Sequence, residues 1–217
     1  TFFYVTQSQA TTFYISPSGN DATGTGTITN PWRTLSKATS TVTAGNTIFL
    51  LPGTYTETQT SILATGVNVE AADTTAIVRS TLSIQFVAIL QLHSAEGTMG
   101  NQYVRNIKFD GNNRLTSWGL SVRGRSNVSV YGCVFRDFEE TAVNWSGRND
   151  GNQIPPSIYA TSNSFHDNII TNSATWTSAY GRGAFQFGGQ DGMQIYNNYI
   201  TANSRPAGLN GWPVKGC

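Results

Sequence analysis

Apolar and polar residues alternate along short segments that recur through the second half of the chain. Three segments carry apolar residues at positions 1, 3 and 8 and a small or polar residue at position 6: 128–135, 158–165 and 193–200. Shorter alternating strips lie between them, at 119–124, 142–147, 184–188 and 208–212. Two-residue alternation that recurs along a chain is typical of short strands stacked on their own repeats.

The spacing of the strips narrows the architecture. Most successive strips lie about 20–30 residues apart, which is too short for repeats built from helix pairs. The wider interval before 184–188 indicates one coil enlarged by two loops, 148–156 and 171–182. Because no strong 3.6-residue period follows Thr54, the sequence predicts an all-β parallel solenoid with a rise of ~4.8 Å per coil.

Stacked coils place equivalent residues above one another, so the pattern also predicts interior columns. One column would contain Phe109, Phe135, Phe165 and Ile200. A second would contain Ile107, Cys133, Asn163 and Asn198. Asparagine suits such a column because its amide both donates and accepts hydrogen bonds along the axis.

A short helix is predicted near residues 31–42, before the first coil. Asn30 can cap it and Pro31 suits its first position. Leu35, Ala38 and Val42 then form one apolar face. Such a helix would cover the open end of the solenoid, where strand edges are otherwise unpaired.

Three N-terminal segments carry a family resemblance: Phe13-Tyr-Ile-Ser-Pro-Ser-Gly-Asn-Asp21, Asn30-Pro-Trp-Arg-Thr-Leu-Ser-Lys-Ala38 and Ala44-Gly-Asn-Thr-Ile-Phe-Leu-Leu-Pro-Gly-Thr-Tyr-Thr-Glu57. Their order resembles the start of right-handed parallel β-helix proteins of the pectate-lyase-like superfamily, with Asn46 where an Asp is usual. The resemblance implies a right-handed parallel β-helix with a short capping helix, and a secreted or cell-surface protein. It is specific for fold, since this fold hosts lyases, hydrolases, epimerases, tailspikes and adhesins.

Residues 13–217 are predicted to form a single β-helix domain. Residues 1–12 are either the remnant of a signal peptide or a first strand, because 8–10 has the small-x-small form of a cleavage site while Phe3 and Val5 alternate. The last strip begins a coil that the sequence does not finish. We therefore expect a chain truncated at its C-terminus, or one whose last coil a partner chain completes.

Composition excludes several function classes. Charged residues make up 12% of the chain and the formal net charge is +1. No phosphate-binding glycine loop, Cys/His cluster or basic tract indicates a nucleotide, zinc or nucleic-acid partner. No apolar stretch is long enough to span a membrane. Two cysteines give no disulfide framework.

Residues 208–215, Gly208-Leu-Asn-Gly-Trp-Pro-Val-Lys215, resemble a motif of family 9 polysaccharide lyases, roughly Asn-x-Asp-Gly-Phe-Ala-x-Lys. In that family the Asp ligates Ca²⁺, and here Asn210 takes its place. The resemblance therefore implies Ca²⁺ as a candidate cofactor and an acidic polysaccharide as the partner. The catalytic Lys of the family lies on a later coil, so Lys215 is a candidate through its own position.

Cleavage of a uronic-acid polymer by β-elimination requires a cation on the carboxylate, a base and a proton for the leaving oxygen. Arg125, Arg148 and Lys215 follow equivalent strips and are predicted to line one groove, and His166 is a further acid or base candidate. Asp137 and Asp167 each stand two residues after a predicted column phenylalanine. Together they would form a metal site, with Asn210 as a further candidate ligand, or a pair of hydrolytic carboxylates.

Aromatic residues outside the predicted columns concentrate in the second half and can stack on sugar rings. The candidate substrate-binding residues are Trp145, Trp176, Tyr180, Arg182 and Trp212. The leading hypothesis is a polysaccharide lyase-like protein acting on an acidic glycan. The alternative is a non-catalytic glycan-binding, adhesin or tailspike-like solenoid. Ice binding ranks lower, because Thr-x-Thr does not recur coil by coil.

Overall fold

The computed structural model describes residues 9–114, 118–151, 155–174, 182–202 and 211–216 and is a right-handed parallel β-helix, which confirms the predicted fold. No helix among these residues is long and apolar enough to cross a membrane. The elements are β1 (Thr12–Ile15), α1 (Leu35–Thr41), β2 (Thr47–Leu50), β3 (Gly53–Glu57), β4 (Ser61–Ile62), β5 (Asn68–Ala71), β6 (Ala76–Ser80), β7 (Ala88–Arg105), β8 (Lys108–Arg114), β9 (Trp118–Tyr131), β10 (Val134–Phe138), β11 (Val143–Ser146), β12 (Ala160–Thr161), β13 (Ser164–His166), β14 (Ile169–Ser173), β15 (Arg182–Gly188), β16 (Gln190–Asp191), β17 (Gln194–Tyr196), β18 (Tyr199–Ala202) and β19 (Gly211–Gly216).

Parallel pairing stacks the strands into three faces. The first face contains β1, β2, β5, the C-terminal ends of β7 and β9, β13 and β17. The second contains β3, β6, β8, β10, β14 and β18. The third contains β4, the N-terminal ends of β7 and β9, β11, β15 and β19. Because β7 and β9 continue from the third face into the first, one sheet joins both faces.

The interior of the second face is a column of aromatic and aliphatic side chains. Phe109 and Phe135 pair across β8 and β10, and their rings stack 5.0 Å apart. Ile170 on β14 and Ile200 on β18 continue the column. Phe165 instead lies on β13, in the first face. The predicted column was therefore wrong at its third member.

An asparagine column does form at the corner between the first and second faces, with one member changed. The backbone N–H of Cys133 donates to Asn168 Oδ1, 35 residues further on. The N–H of Asn168 donates to Asn198 Oδ1, 30 residues further on. Asn168 thus occupies the place predicted for Asn163, and the column satisfies buried backbone groups as expected.

Asn163 explains the error in register. Its Oδ1 accepts from the N–H of Val128 and its Nδ2 donates to the carbonyl oxygen of Arg125. Asn163 is 1% exposed, so a polar residue fills an interior position that Val128 fills one coil earlier. The true repeat, 163–170, therefore lacks its apolar start, while 158–165 imitates the pattern by chance.

The N-terminal helix is present, but it begins later than its predicted span of 31–42. Thr34 rather than Asn30 caps α1, its Oγ1 accepting a backbone N–H of the first turn. The carboxylate of Glu57 accepts the first two N–H groups of the helix. These hydrogen bonds satisfy backbone N–H groups that have no partner within the helix, and the Glu57 contact joins the helix to the first coil.

Candidate functional site

The outer surface of the third face carries a line of polar side chains, one from each successive coil. Strand pairing brings Gln91, Ser121, Asn144, Gln186 and Lys215 into register along the axis of the helix. These side chains point outward because the apolar neighbours on each strand point into the core and directions alternate along a strand. We call these five residues the polar row. Its ends are four coil steps apart, or roughly 19 Å.

The middle of the polar row lies beneath other parts of the chain. Ser121, Asn144 and Gln186 are 0%, 2% and 4% exposed, although they point away from the core. The Lys215 side chain is exposed. The row is therefore open to a ligand at its Lys215 end.

A second outward row holds His93 and Arg123, which pair across β7 and β9. The Arg123 Cζ lies 5.1 Å from the centroid of the Trp118 ring, a cation–π contact. A Cβ added to Gly151 would lie 2.5 Å from the Arg123 Cζ, so the segment after β11 packs directly on the guanidinium. Burial lowers the pKa of Arg123, while the carboxylate of Asp150 acts in the opposite direction. Because arginine stays charged in proteins, the site keeps a fixed positive charge.

His93 is a neutral hydrogen-bonding partner within this site. Its Nε2 lies 2.8 Å from the Oγ of Ser121. Burial, followed by the charges of Arg123 and Arg125, lowers the pKa of His93 to about 3. The ring therefore stays uncharged near neutral pH, where it orients the Ser121 hydroxyl and adds no positive charge.

Three buried polar atoms in and beside these rows have no hydrogen-bond partner within the described residues: Asn144 Oδ1, Arg123 Nε and Trp118 Nε1. Buried polar groups are rarely left unpaired. The first atom is an acceptor and the other two are donors.

Arg125 was predicted to face the groove, but its side chain is an interior structural group. Its guanidinium donates to the carbonyl oxygens of Leu63 and His93, to Gln102 Oε1 and to Ser94 Oγ. The residue is 2% exposed, and burial lowers the pKa of Arg125 to about 10. Because these acceptors use its donors, Arg125 joins the corner between the third and first faces and does not contact a ligand.

Arg148 lies directly after β11, in the segment that packs on Arg123. Its Nε and Nη2 donate to the two carboxylate oxygens of Asp150, at 2.9 and 2.7 Å. This contact raises the pKa of Arg148. Of the predicted catalytic residues, Arg148 and Lys215 thus belong to the third face.

His166 belongs to another surface, the outer side of the first face. Its ring stacks between Tyr131 at 5.0 Å and Tyr196 at 4.6 Å. Its Nδ1 lies 2.7 Å from an oxygen of Asp167. The structure therefore separates His166 from Lys215, and the two do not share a site.

Of the predicted substrate-binding residues, Trp145 lies in the core, and the side chains of the others are not among those that the structure describes. Trp145 is 0% exposed and packs edge-on against Phe165 inside the helix, so it is a core residue and not a glycan contact. Its neighbour Asn144 takes the outward position on that strand. Four further candidates lie outside the described part of the structure: the side chains of Arg182 and Trp212, and the residues Trp176 and Tyr180.

The two aspartates predicted to form a pair lie in different parts of the coil, Asp137 on the second face and Asp167 at the corner after β13. Asp137 lies near the end of β10 and accepts a hydrogen bond from Asn172 Nδ2. Asp167 follows β13 and lies beside His166. The pair does not form, because it was inferred from the wrong register. Asn210 lies outside the described residues. Within the described part of the chain, no three His, Cys, Asp or Glu side chains are placed to hold a metal ion.

Sequence reasoning missed His93, Asn144 and Gln186 as site residues. The signal for the last two was present, since each directly follows an apolar residue of an alternating strip, Val143 or Phe185. His93 carried no comparable signal. Its role follows from pairing between coils, which brings it beside Ser121.

Comparisons with known proteins agree with this architecture. A family described as "Protein of unknown function (DUF1565)" matches residues 17–215. No curated protein matches the chain. A rhamnogalacturonan lyase structure superposes with a TM-score of 0.58 at 14% identity, over 95% of this chain and 62% of that one. The chain thus spans less than two thirds of that lyase. A pectate lyase, Pel9A, gives a TM-score of 0.46 at 16% identity, over 94% of this chain and 58% of that one. At such identities the likeness concerns the fold alone.

Proposed function

We propose a function for this chain from its own residues, because it belongs to the DUF1565 family, whose description states none. The protein is a carbohydrate-active β-helix that binds an acidic polysaccharide along the outer side of the third face and cleaves it by β-elimination. The observation that carries this proposal is the position of Lys215, exposed at the open end of a row of amide and hydroxyl side chains.

The chemistry of the third face suits such a ligand. A uronic-acid polymer presents hydroxyl groups and one carboxylate on each acidic sugar. Gln91 and Lys215, at the two ends of the polar row, offer hydrogen-bonding groups to a ligand, while Ser121, Asn144 and Gln186 lie covered between them. Arg123 and Arg148 add positive charge beside them. The rhamnogalacturonan lyase of the same fold gives independent support, since its name states a lyase activity on a polysaccharide.

In the proposed reaction the Lys215 amine, in its neutral form, removes the proton from the sugar carbon beside the carboxylate. The electron pair of that bond forms a carbon–carbon double bond as the bond to the neighbouring glycosidic oxygen breaks. The leaving oxygen takes a proton from solvent or from a protein group. Nearby positive charge stabilises the carboxylate as negative charge builds on it. The products are a shortened chain and a chain with an unsaturated end.

The partner is thus an acidic polysaccharide, and we infer that the protein acts where such polymers occur, outside the cell or on its surface. We propose Ca²⁺ as a cofactor to be tested in the assay, because the ion can neutralise a uronate carboxylate by binding the substrate itself.

A non-catalytic glycan-binding solenoid is the second candidate. The separation of the predicted catalytic set favours it: Arg125 is interior, His166 lies on the first face and Arg148 already pairs with Asp150. Only Lys215 is then left as a base on the row. Such a protein would bind the polymer without cleaving it.

Incubation with polygalacturonate, rhamnogalacturonan, alginate and glycosaminoglycans separates the two candidates. Each polymer is tested with added Ca²⁺ and with a chelator. Ultraviolet absorbance follows the new double bond, and affinity electrophoresis measures binding. Rising absorbance on one polymer supports the lyase. Retardation with flat absorbance supports the binding solenoid. A protein that neither binds nor cleaves any of these polymers contradicts both.

A further inference from the structure

Phe86 has a backbone conformation that large side chains seldom adopt. It has a φ of +61° and is 47% exposed. A bulky residue in the left-handed region is strained, and this conformation persists only where the surroundings impose it. Because the ring is about half exposed, burial of its apolar surface offsets little of this strain. Phe86 therefore strains the backbone at a position that glycine would occupy without strain.

The rest of the chain shows how this protein normally fills left-handed positions. At the corner between the first and second faces, four equivalent positions have a positive φ and are filled by Asn106, Gly132, Asp167 and Asn197. Elsewhere in the described residues, the other non-glycine residues with positive φ are asparagine, aspartate, serine or alanine. Phe86 is the one aromatic residue among them, and backbone geometry therefore does not explain its presence.

The position of Phe86 connects it to the proposed site. Its ring lies 6.4 Å from the ring of Trp118, at an interplanar angle of 66°. The ring of Trp118 in turn lies beneath the guanidinium of Arg123. Phe86 precedes β7, whose first residue, Ala88, pairs with Trp118. A contiguous set of aromatic and cationic side chains therefore runs from the exposed Phe86 ring through the buried Trp118 ring to Arg123 in the second outward row.

We propose that Phe86 is a stacking platform for a sugar ring of the bound polysaccharide, at a distal subsite of the third face. This inference rests on the proposed function. Aromatic rings offer sugars a flat apolar surface with a negative face. Phe86 precedes the coil of Gln91, and Lys215 stands four coils further on, roughly 19 Å along the axis. One extended oligosaccharide reaches both groups, whereas a disaccharide held at Lys215 does not reach Phe86.

The test uses Phe86→Gly, because strain and ligand contact make opposite demands on this residue. Glycine removes the ring and relieves the left-handed backbone. We expect polymer affinity to fall roughly five- to tenfold, the usual size of one aromatic contact. The thermal midpoint should stay level or rise. Affinity for a disaccharide of the same polymer should not change.

Matched variants serve as controls. Phe86→Trp keeps an aromatic face and should retain polymer affinity. Ile84→Ala removes an exposed apolar side chain, 59% exposed, from the same loop and should leave polymer affinity unchanged. Equal loss in Ile84→Ala would mean that the loop and not the ring is responsible, which overturns the inference.

The outcomes separate this inference from the proposed function. If the wild type binds a polymer and Phe86→Gly binds it equally well, the stacking role is wrong and the proposed function stands. A large drop in thermal midpoint for Phe86→Gly would identify Phe86 as a packing residue and also overturn the inference. A wild type that binds none of the polymers overturns the proposed function, and this subsite with it.

Discussion

The first and third faces share one stacking principle but differ in how their outer surfaces are completed. On the first face, polar side chains satisfy one another. Glu70 accepts from Tyr103 Oη and Arg105 Nε at 2.7 and 2.8 Å. His166 pairs with Asp167 and stacks between two tyrosine rings. This surface needs no ligand to complete its hydrogen bonds.

The third face has the opposite character. Its outward residues Ser121 and Asn144 are buried, yet Asn144 Oδ1, Arg123 Nε and Trp118 Nε1 lack partners within the described residues. Leaving a buried polar atom unpaired costs about 1–3 kcal/mol. The comparison shows that the first face completes its hydrogen bonds with its own side chains, whereas the third face leaves buried polar atoms without partners among the described residues.

The largest expected effect comes from Lys215→Ala, if the third face is catalytic. Loss of a general base lowers the elimination rate by ~10²–10⁴-fold. Lys215→Arg keeps the charge but cannot supply a neutral base, so it should keep polymer affinity and lose turnover. Lys108→Ala is the matched control, since Lys108 lies on the second face. Equal loss in the Lys108 variant, or full activity in Lys215→Ala, would contradict the assignment of the base.

Arg125 and Arg148 provide a pair of arginines with different roles. Arg125→Met should lower the free energy of unfolding by about 3–5 kcal/mol, because it leaves buried acceptors unpaired. Arg148→Met should change stability little and should weaken polymer affinity, since Arg148 is solvent-accessible and belongs to the third face. Urea unfolding and affinity electrophoresis measure the two effects. A stable Arg125→Met protein with reduced polymer affinity would restore Arg125 as a groove residue.

A smaller effect is expected from His93 and pH. The pKa of His93 is lowered to about 3 in the folded chain, against 6.5 for an unperturbed histidine. Below pH 6.5 the unfolded chain therefore binds a proton that the folded chain does not, and stability falls as pH falls towards 3. Between pH 6.5 and 5 this amounts to about 2 kcal/mol. Nearby Arg123 and Arg125 keep their charge throughout this range.

The variant His93→Asn removes this titration and keeps a side chain that can hydrogen-bond Ser121. Urea unfolding of both proteins at pH 7 and pH 5 gives the comparison. The wild type should lose about 2 kcal/mol more than the variant over this interval. Identical losses would show that His93 takes up its proton as readily in the folded protein as in the unfolded chain.

Strand alternation and coil spacing predicted a parallel β-solenoid, since stacking in register imposes a recurrent pattern on the sequence. The apolar face of Leu35, Ala38 and Val42 predicted the N-terminal helix, and the family resemblance predicted the right-handed β-helix. Alternation alone could not fix the register. Asn163 fills an interior position with hydrogen bonds to neighbouring backbone, so the apolar pattern shifts to 158–165. The error moved Phe165 into the wrong column and created the Asp137–Asp167 pair.

The site was predicted less completely because its geometry depends on pairing between coils. Lys215 was identified, but its row neighbours are Gln186 and Asn144, which no motif marks. Arg125 was misplaced because β9 bends at Gly124, with a φ of +66°, and its side chain turns inward after the bend. Alternation assumes an unbroken strand and cannot foresee that change.

Hydrogen–deuterium exchange with and without the tightest-binding polymer tests the central claim most directly, because it reports on both faces in one experiment. Binding to the third face predicts slower exchange at residues 84–93 and 211–216, with no change at 129–131 and 164–166 of the first face. Protection confined to the first-face segments would contradict the claim and would identify the aromatic stack as the glycan-binding surface.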